Sequence, residues 1–451
     1  MLPTRSILLL ENNEALIARF RRVIRELDAG FELTVWQSAS AMAAECEPHF
    51  PHAAMVALGD TPVAPTGKGT DTGTDTEPDI ATFLGDFLPV CPVLIHASDA
   101  DSASSTLVEL DRAGWKADRV SPSQPEWVET AWAHRARELI DSHATTWNLT
   151  LPTDHAARIE RMLRSLNGLG VGDSLGLMLC WEPHAAPGRL ASGALPKAPW
   201  FHTDDTEMAI AIAAVLKSYG EVNQEALARR FARRFERDEH RGYGHMTRTQ
   251  LRDINAGAKW QDTAANAFSG QGSMGNGGAM RAAPLGAYFA DDLERCVREA
   301  QASAVVTHTH PEGVAGTIAV AGAAAMAWRL RKTGGPRRAR HFFEAVLDLT
   351  PPSEVREGIA QASELPADTL VDAVAAKVGN GALVLAQDTV PFCLWIAAHH
   401  PQNFLTSMAQ TIRAGGDCDT NAAIVGGIVA LSAADDAIPP QWLAARERFW
   451  I

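Results

Sequence analysis

Two acidic runs, Thr203-Asp204-Asp205-Thr206 and Asp417-Cys418-Asp419-Thr420, lie far apart in the chain and share one vocabulary. Each opens an apolar, small-residue segment of helical composition, 208–216 after the first and 422–431 after the second. A helix N-terminus has unpaired N–H groups and partial positive charge, so one Asp or Thr there is ordinary capping. Capping uses a single side chain. Adjacent acids in the first run, and acids two apart in the second, leave carboxylates aimed elsewhere. Gly415-Gly416 sets a tight turn just before the second run. A fold that brings the runs together places four carboxylates and two hydroxyls in one pocket, and divalent cations are the simplest way to neutralise them. Oxygen ligands without Cys or His suit Mg²⁺, Mn²⁺ or Ca²⁺ rather than zinc.

The 451 residues are enough for two or three domains. With 46% hydrophobic and 21% charged residues the composition is globular, and the net charge of −14 argues against a basic nucleic-acid-binding face or an anionic membrane surface. Cysteines 46, 91, 180, 296, 393 and 418 are scattered without a C-x-x-C pair, as expected of reduced thiols rather than a disulfide framework or zinc site. The start of the chain offers four apolar residues before Glu11, too few for a signal-peptide core, and the Ala-rich stretch 314–328 is too short to span a bilayer. A soluble, cytoplasmic protein is expected.

The pattern changes near residue 145. Before it, apolar runs at 7–10, 31–36, 53–58 and 92–97 alternate with helical periodicity at 14–27, which predicts an α/β domain with a parallel sheet over 1–145. The Thr/Gly/Asp/Pro-rich stretch 61–78 reads as an insertion, and 146–150 as a linker. From 146 to 451 the chain predicts a compact all-α domain. Helical spacing or composition occurs near 154–166, 207–219, 224–237, 248–256, 291–306, 314–331, 338–348, 367–378, 402–413 and 421–434, and small residues permit close packing.

Two loops of the second half carry unusual chemistry. In Gly275-Asn276-Gly277-Gly278-Ala279-Met280-Arg281, repeated glycines allow backbone N–H groups to approach an anion such as a diphosphate. Apolar flanks, Phe268, Met274, Pro284 and Leu285, argue against a solvated surface loop. In Thr307-His308-Thr309-His310-Pro311-Glu312-Gly313, the histidines suit hydrogen bonding to a sugar or phosphate better than a metal.

In order, these motifs resemble the ADP-ribosylglycohydrolase family, which includes the dinitrogenase-reductase-activating glycohydrolases. The family's Gly-Asp-x-x-Gly segment matches Gly172-Asp173-Ser174-Leu175-Gly176, and its Thr-Asp-Asp-Thr-x-Met segment matches 203–208. The glycine loop matches at 275–286, Thr-His-x-His-Pro at 307–311, and Gly-Gly-Asp-x-Asp-Thr at 415–420. The resemblance covers about 154–451 and implies a compact all-α fold with two Mg²⁺ (or Mn²⁺) ions held by Thr203, Asp204, Asp205, Asp417, Asp419 and Thr420. It implies that Gly275, Asn276 and Gly277 hold a diphosphate, that His308 or His310 touches the ribose, and that Asp173 closes its own turn. Many relatives carry a Glu just after the Gly-Asp-x-x-Gly segment. Here 177–181 lack one and Glu182 is the first acid, a departure that bears on rate and substrate choice.

The first domain weakly resembles a response-regulator receiver. Its acidic pair is reduced to Glu11-Asn12, Asp60 stands near the phosphoacceptor position, Ser98 follows the fourth strand, and Arg119-Val120-Ser121-Pro122 replaces the usual lysine. This implies a receiver-shaped module that is not phosphorylated and that engages a regulatory partner.

The activity implied is removal of ADP-ribose from a modified protein, arginine-linked by family analogy, by cleavage of the C1″ glycosidic bond. Asp205 is the expected acceptor of the attacking water's proton, with Asp417 beside it, and Glu182 a donor to the leaving group. The alternatives are a non-hydrolysing ADP-ribose or nucleotide sensor and an immunity-type interaction protein.

Overall fold

The structure is a computed structural model. It describes residues 5–27, 31–39, 41–42, 53–59, 84, 91–98, 100–112, 115–144, 152–332 and 337–449. The chain forms two compact units, 1–150 and 151–451. Asp60 and the stretches 61–78 and 146–150 lie outside the described residues.

In the first unit, β1 (Arg5–Leu10), β2 (Phe31–Trp36), β3 (Ala53–Leu58), β4 (Val93–His96) and β5 (Ala117–Val120) form one parallel sheet in the order β2-β1-β3-β4-β5. Leu8 stands opposite both Thr34 and Val56, and Val56 opposite Val93. Successive side chains point to opposite faces, so a continuous apolar run covers both. Leu8, Leu10, Val56, Val93 and Ile95 pack with Trp36, Leu110 and Trp115 on one side. Ile7, Leu9, Met55, Ala57 and Leu94 pack with Phe20, Val23, Trp127 and Trp132 on the other. The Glu14–Leu27 helix buries Ile17, Phe20, Val23 and Ile24, one stripe at helical spacing, and the Asn13 side chain accepts from the Ala15 and Leu16 N–H groups at its start.

At the end of β1, Glu11 is buried, and its Oε2 lies 2.9 Å from His96 Nε2 at the end of β4. Ser98 is exposed.

The second unit is helical. Its centre is a pair of antiparallel helices, His155–Leu179 and Cys418–Ser432. They approach so closely that a methyl group on Gly168, Gly172 or Gly176 would collide with the backbone of Gly426, Ala422 or Cys418 respectively. Small residues thus set the spacing, and the pairing carries the Gly172–Gly176 segment to the start of the second acidic run. The Pro311–Arg329 helix packs against Gly286 in the same way at Ala321.

Two features differ from the sequence reading. The helix expected near 154–166 continues to Leu179, so Asp173 sits inside a helix and does not close a turn of its own. Glu354–Ser363 and Ala386–His399 are helices that periodicity alone did not reveal. No helix among the described residues is long and apolar enough to cross a membrane.

Candidate functional site

Both acidic runs line one cavity. Asp204, Asp205, Asp417, Asp419 and Thr420 share its wall with Met208, Gly275, Asn276, Gly277 and His308, and the cavity measures about 720 Å³. That volume suits a ligand of nucleotide-sugar size.

The first run is held from below by Asp173. Its carboxylate accepts from the Thr203 N–H at 3.0 Å, from the Thr206 N–H at 3.2 Å and from the Thr206 hydroxyl at 2.5 Å. Asp173 therefore fastens the N-terminus of the Asp204–Tyr219 helix to the central helix pair. Thr203 is the N-cap. Its hydroxyl accepts from the Asp205 N–H and donates to Asp205 Oδ2 at 3.0 Å. Among the described residues, Asp205 Oδ1 is buried with no hydrogen-bond partner.

The second run starts from a left-handed pair, Gly415 (φ 69°) and Gly416 (φ 74°). A side chain at Gly416 would also strike the Asn380 carbonyl, so glycine is required there by both conformation and space. The Asp417 N–H donates to that carbonyl at 3.3 Å, and Asp417 Oδ2 accepts from Asn276 Nδ2 at 2.7 Å. Asp419 Oδ1 accepts from the Thr420 N–H.

The acids raise one another. Burial, then the charge of Asp419, pushes Asp417 up to about 7. Burial followed by the charges of Asp173 and Asp419 raises Asp204 and Asp205 well above the usual carboxylate range. Burial, with Asp419 adding to it and His202 opposing, lifts Asp173 to about 6. A site that resists its own ionisation, with an orphaned buried oxygen and an all-oxygen donor set, fits hard divalent cations. The described residues nonetheless contain no group of three or more His, Cys, Asp or Glu side chains arranged as a closed ligand shell. The carboxylates converge on one cavity without enclosing a single point.

Not every residue singled out from the sequence faces this cavity. His310 caps the Pro311–Arg329 helix, with its Nδ1 accepting from the Glu312 N–H. Glu182 is a correction to the sequence reading: its side chain is 69% exposed, faces Arg189 at 3.5 Å and does not line the cavity. The glycine loop also works differently from an open anion cradle. The Gly275 N–H donates to Ser273 Oγ and the Asn276 N–H to the Val384 carbonyl, and Gly277 is small because a Cβ would meet the His308 ring.

Two residues at the site, Leu383 and Val384, carried no signal in the sequence reading. With Phe268, an apolar flank of the glycine loop that is half exposed, they form apolar groups on the cavity wall, and Phe268 and Val384 hold positive φ values of 51° and 58°. For β-branched Val384 this is a strained conformation. It is held on both sides: its carbonyl accepts from the Asn276 N–H at 3.1 Å, and its N–H donates to the Gly381 carbonyl at 2.8 Å.

An all-α domain that brings two acidic helix N-termini, those of Asp204–Tyr219 and Cys418–Ser432, to one nucleotide-sized cavity defines a class of cation-compatible sites. A family profile described as ADP-ribosylglycohydrolase matches residues 154–451. The chain belongs to the ADP-ribosylglycohydrolase family and is a glycohydrolase. It is 28% identical to mouse ADP-ribosylhydrolase ARH3 over 290 residues, 55% of this chain and 74% of that protein. It is 25% identical to the ADP-ribosylarginine hydrolase Tri1 of Pseudomonas putida over 302 residues, 63% of this chain and 74% of that protein. A solved structure described as an ADP-ribosylglycohydrolase-related protein complex superposes with a TM-score of 0.46 at 23% identity, over 64% of this chain and 93% of that one.

Proposed function

We propose that this protein removes ADP-ribose from a modified protein side chain by hydrolysing the C1″ glycosidic bond, with two Mg²⁺ or Mn²⁺ ions held by Thr203, Asp204, Asp205, Asp417, Asp419 and Thr420. The observation that carries this reading is the arrival of both acidic runs at one cavity, with Asp205 Oδ1 left unpartnered there. Arginine-linked substrates are the first choice, the linkage in the name of the Pseudomonas relative.

Cleavage at C1″ builds oxocarbenium-like positive charge on the sugar. The cluster of carboxylates places negative charge where that charge develops. Divalent ions bound there would orient the ribose hydroxyls and lower the pKa of a water. Thr203 holds Asp205 through Oδ2, and Oδ1, unpartnered among the described residues, is left to accept that water's proton. Asn276 holds Asp417 in the geometry that faces the cavity. The water oxygen bonds to C1″, the bond to the side-chain atom breaks, and that atom takes its proton from solvent, because Glu182 points away. The apolar stretch 177–181 next to the second run then bears on rate and on which target enters.

The first unit is read as a receiver-shaped module, not phosphorylated, that engages a regulatory partner, and the protein as cytoplasmic. Glu11 engaged with His96 supports the first of these.

The test is release of free ADP-ribose from a panel of differently linked ADP-ribosylated substrates, with Mg²⁺ or Mn²⁺ present and with EDTA. Metal-dependent release from the arginine-linked member is expected. No release from any member with either metal refutes the reading.

A further inference from the structure

We infer that Arg281 and Thr307 lock His308 as the neutral imidazole carrying its proton on Nε2, a hydrogen-bond donor directed at the cavity. Arg281 is fully buried, with its guanidinium 4.5 Å from the centre of the Phe231 ring. Its Nη2 donates to the Ser303 carbonyl at 3.2 Å and to Thr307 Oγ1 at 2.9 Å. Thr307 is fully buried too, and its Oγ1 lies 2.7 Å from His308 Nδ1.

A guanidinium only donates, so the Arg281–Thr307 contact uses a lone pair of the hydroxyl and leaves its proton free. Among the described residues the one other partner of that hydroxyl is His308 Nδ1. If Nδ1 carried a proton, the hydroxyl would receive two donors and bury its own proton unpaired, at the full desolvation cost of that group. Nδ1 therefore accepts, and the ring proton sits on Nε2. Burial, then the nearby Arg281 charge, drives His308 down to about 3, so the ring stays neutral. Nε2 lies against the glycine loop, where a Cβ on Gly277 would come within 2.9 Å of it, and His308 lines the cavity.

The consequence is a polarity rule. The ligand group that meets His308 is an acceptor oxygen, in a hydroxyl, ether or phosphate, and a cationic or donor group is refused there. Arg281 and Thr307 are positioning residues that act through His308. Which ligand supplies the oxygen rests on the function proposed above, where it is ADP-ribose.

The decisive measurement is long-range ¹H–¹⁵N correlation on the full-length protein with labelled histidine, using His308→Gln to assign the resonance. Between pH 6 and 8 an unprotonated Nδ1 and a protonated Nε2 are expected. The reverse tautomer, or a doubly protonated ring, overturns the inference whether or not any ligand binds. Thr307→Val, which keeps the shape and removes the hydroxyl, should give mixed tautomers, and Thr307→Ser should restore the single one. By calorimetry with Mn²⁺ present, Thr307→Val should weaken ADP-ribose binding roughly five- to tenfold with Mn²⁺ affinity unchanged, and Thr307→Ser should stay within about twofold. Wild-type affinity in Thr307→Val sinks the positioning role. Failure of the wild type to bind ADP-ribose sinks the functional reading and leaves the tautomer to be decided by the spectrum.

Discussion

Asn276 donates through Nδ2 to Asp417 Oδ2 at 2.7 Å, which ties the glycine loop to the second acidic run across 141 positions of sequence. The same nitrogen reaches Thr389 Oγ1 at 3.1 Å, so the amide is held from two sides. Partners that orient a metal-binding carboxylate typically control affinity or activity by about 10–100-fold. Asn276→Ala is expected to lower kcat/KM for ADP-ribose release within that range and to weaken Mn²⁺ binding, while circular dichroism stays unchanged. Unaltered metal affinity would mean that Asp417 needs no such support.

The acids that serve the site weaken the fold. Asp204 and Asp417 are raised by burial and by one another's neighbours, so neutral isosteres relieve repulsion. Asp204→Asn and Asp417→Asn should each abolish metal-dependent release. Each should raise the Tm of the EDTA-treated protein by about 2–4 °C, the shift that roughly 1 kcal/mol gives a domain of this scale. The Tm increase that Mn²⁺ gives the wild type should vanish. Lower Tm values in EDTA for both variants would show that the carboxylates stabilise the apo fold.

A pH dependence follows with a definite sign. Carboxyls in the unfolded chain titrate near ~3.9, and Asp417 titrates at about 7 in the folded one. Between these values the folded chain holds protons that the unfolded chain has released, so stability falls as pH rises from about 4 to about 7. Glu207 runs the other way: burial pushes it up, but His202 and Arg234 override that and bring it to about 2. Its contribution is lost only in more acidic solution. Cations bound at the proposed site would have to displace these protons, so their affinity should climb over the same window. The EDTA-treated protein should therefore melt lower at pH 7 than at pH 5, and Mn²⁺ should raise Tm more at pH 7.5 than at pH 5. A flat profile in EDTA would contradict the coupling among the acids.

The meeting of Asp204 with Asp417 was legible in the sequence because two carboxylates per helix start exceed what capping needs. Strands such as 7–10 were legible because a parallel sheet covered on both faces favours unbroken apolar runs, whereas the fifth, Ala117–Val120, was not, because Asp118 and Arg119 interrupt it. The cap at His310 had a signal in the sequence: the residue before a proline at the first helical position is where a cap belongs. The Ala386–His399 helix was hidden by Pro391 in its interior, a residue that ordinarily ends a helix. The start of Glu354–Ser363 was marked by Pro351-Pro352-Ser353, and the Ser353 side chain does accept from the Arg356 N–H. Asp173 and Arg281 were beyond a linear reading. Their partners, Thr206 and Thr307, become neighbours only once the helices pack.

Glu182 separates sequence proximity from geometry. It is the first acid after the Gly172–Gly176 segment, yet its side chain is 69% exposed and, among the described residues, pairs only with Arg189, at 3.5 Å. An exposed ion pair of that length is worth about 0–1 kcal/mol to the fold. A group that lines no part of the cavity has no route to the leaving atom. Glu182→Ala should therefore keep kcat within about twofold of the wild type. Asp205→Asn, which removes the charge at the orphaned Oδ1, should lower it by at least about 100-fold, within the range that general base catalysis supplies. Initial-rate measurements on the same ADP-ribosylated substrate compare the two directly. A loss in Glu182→Ala as large as that in Asp205→Asn would return the leaving-group proton to Glu182 and require the 177–182 segment to fold over the cavity during turnover.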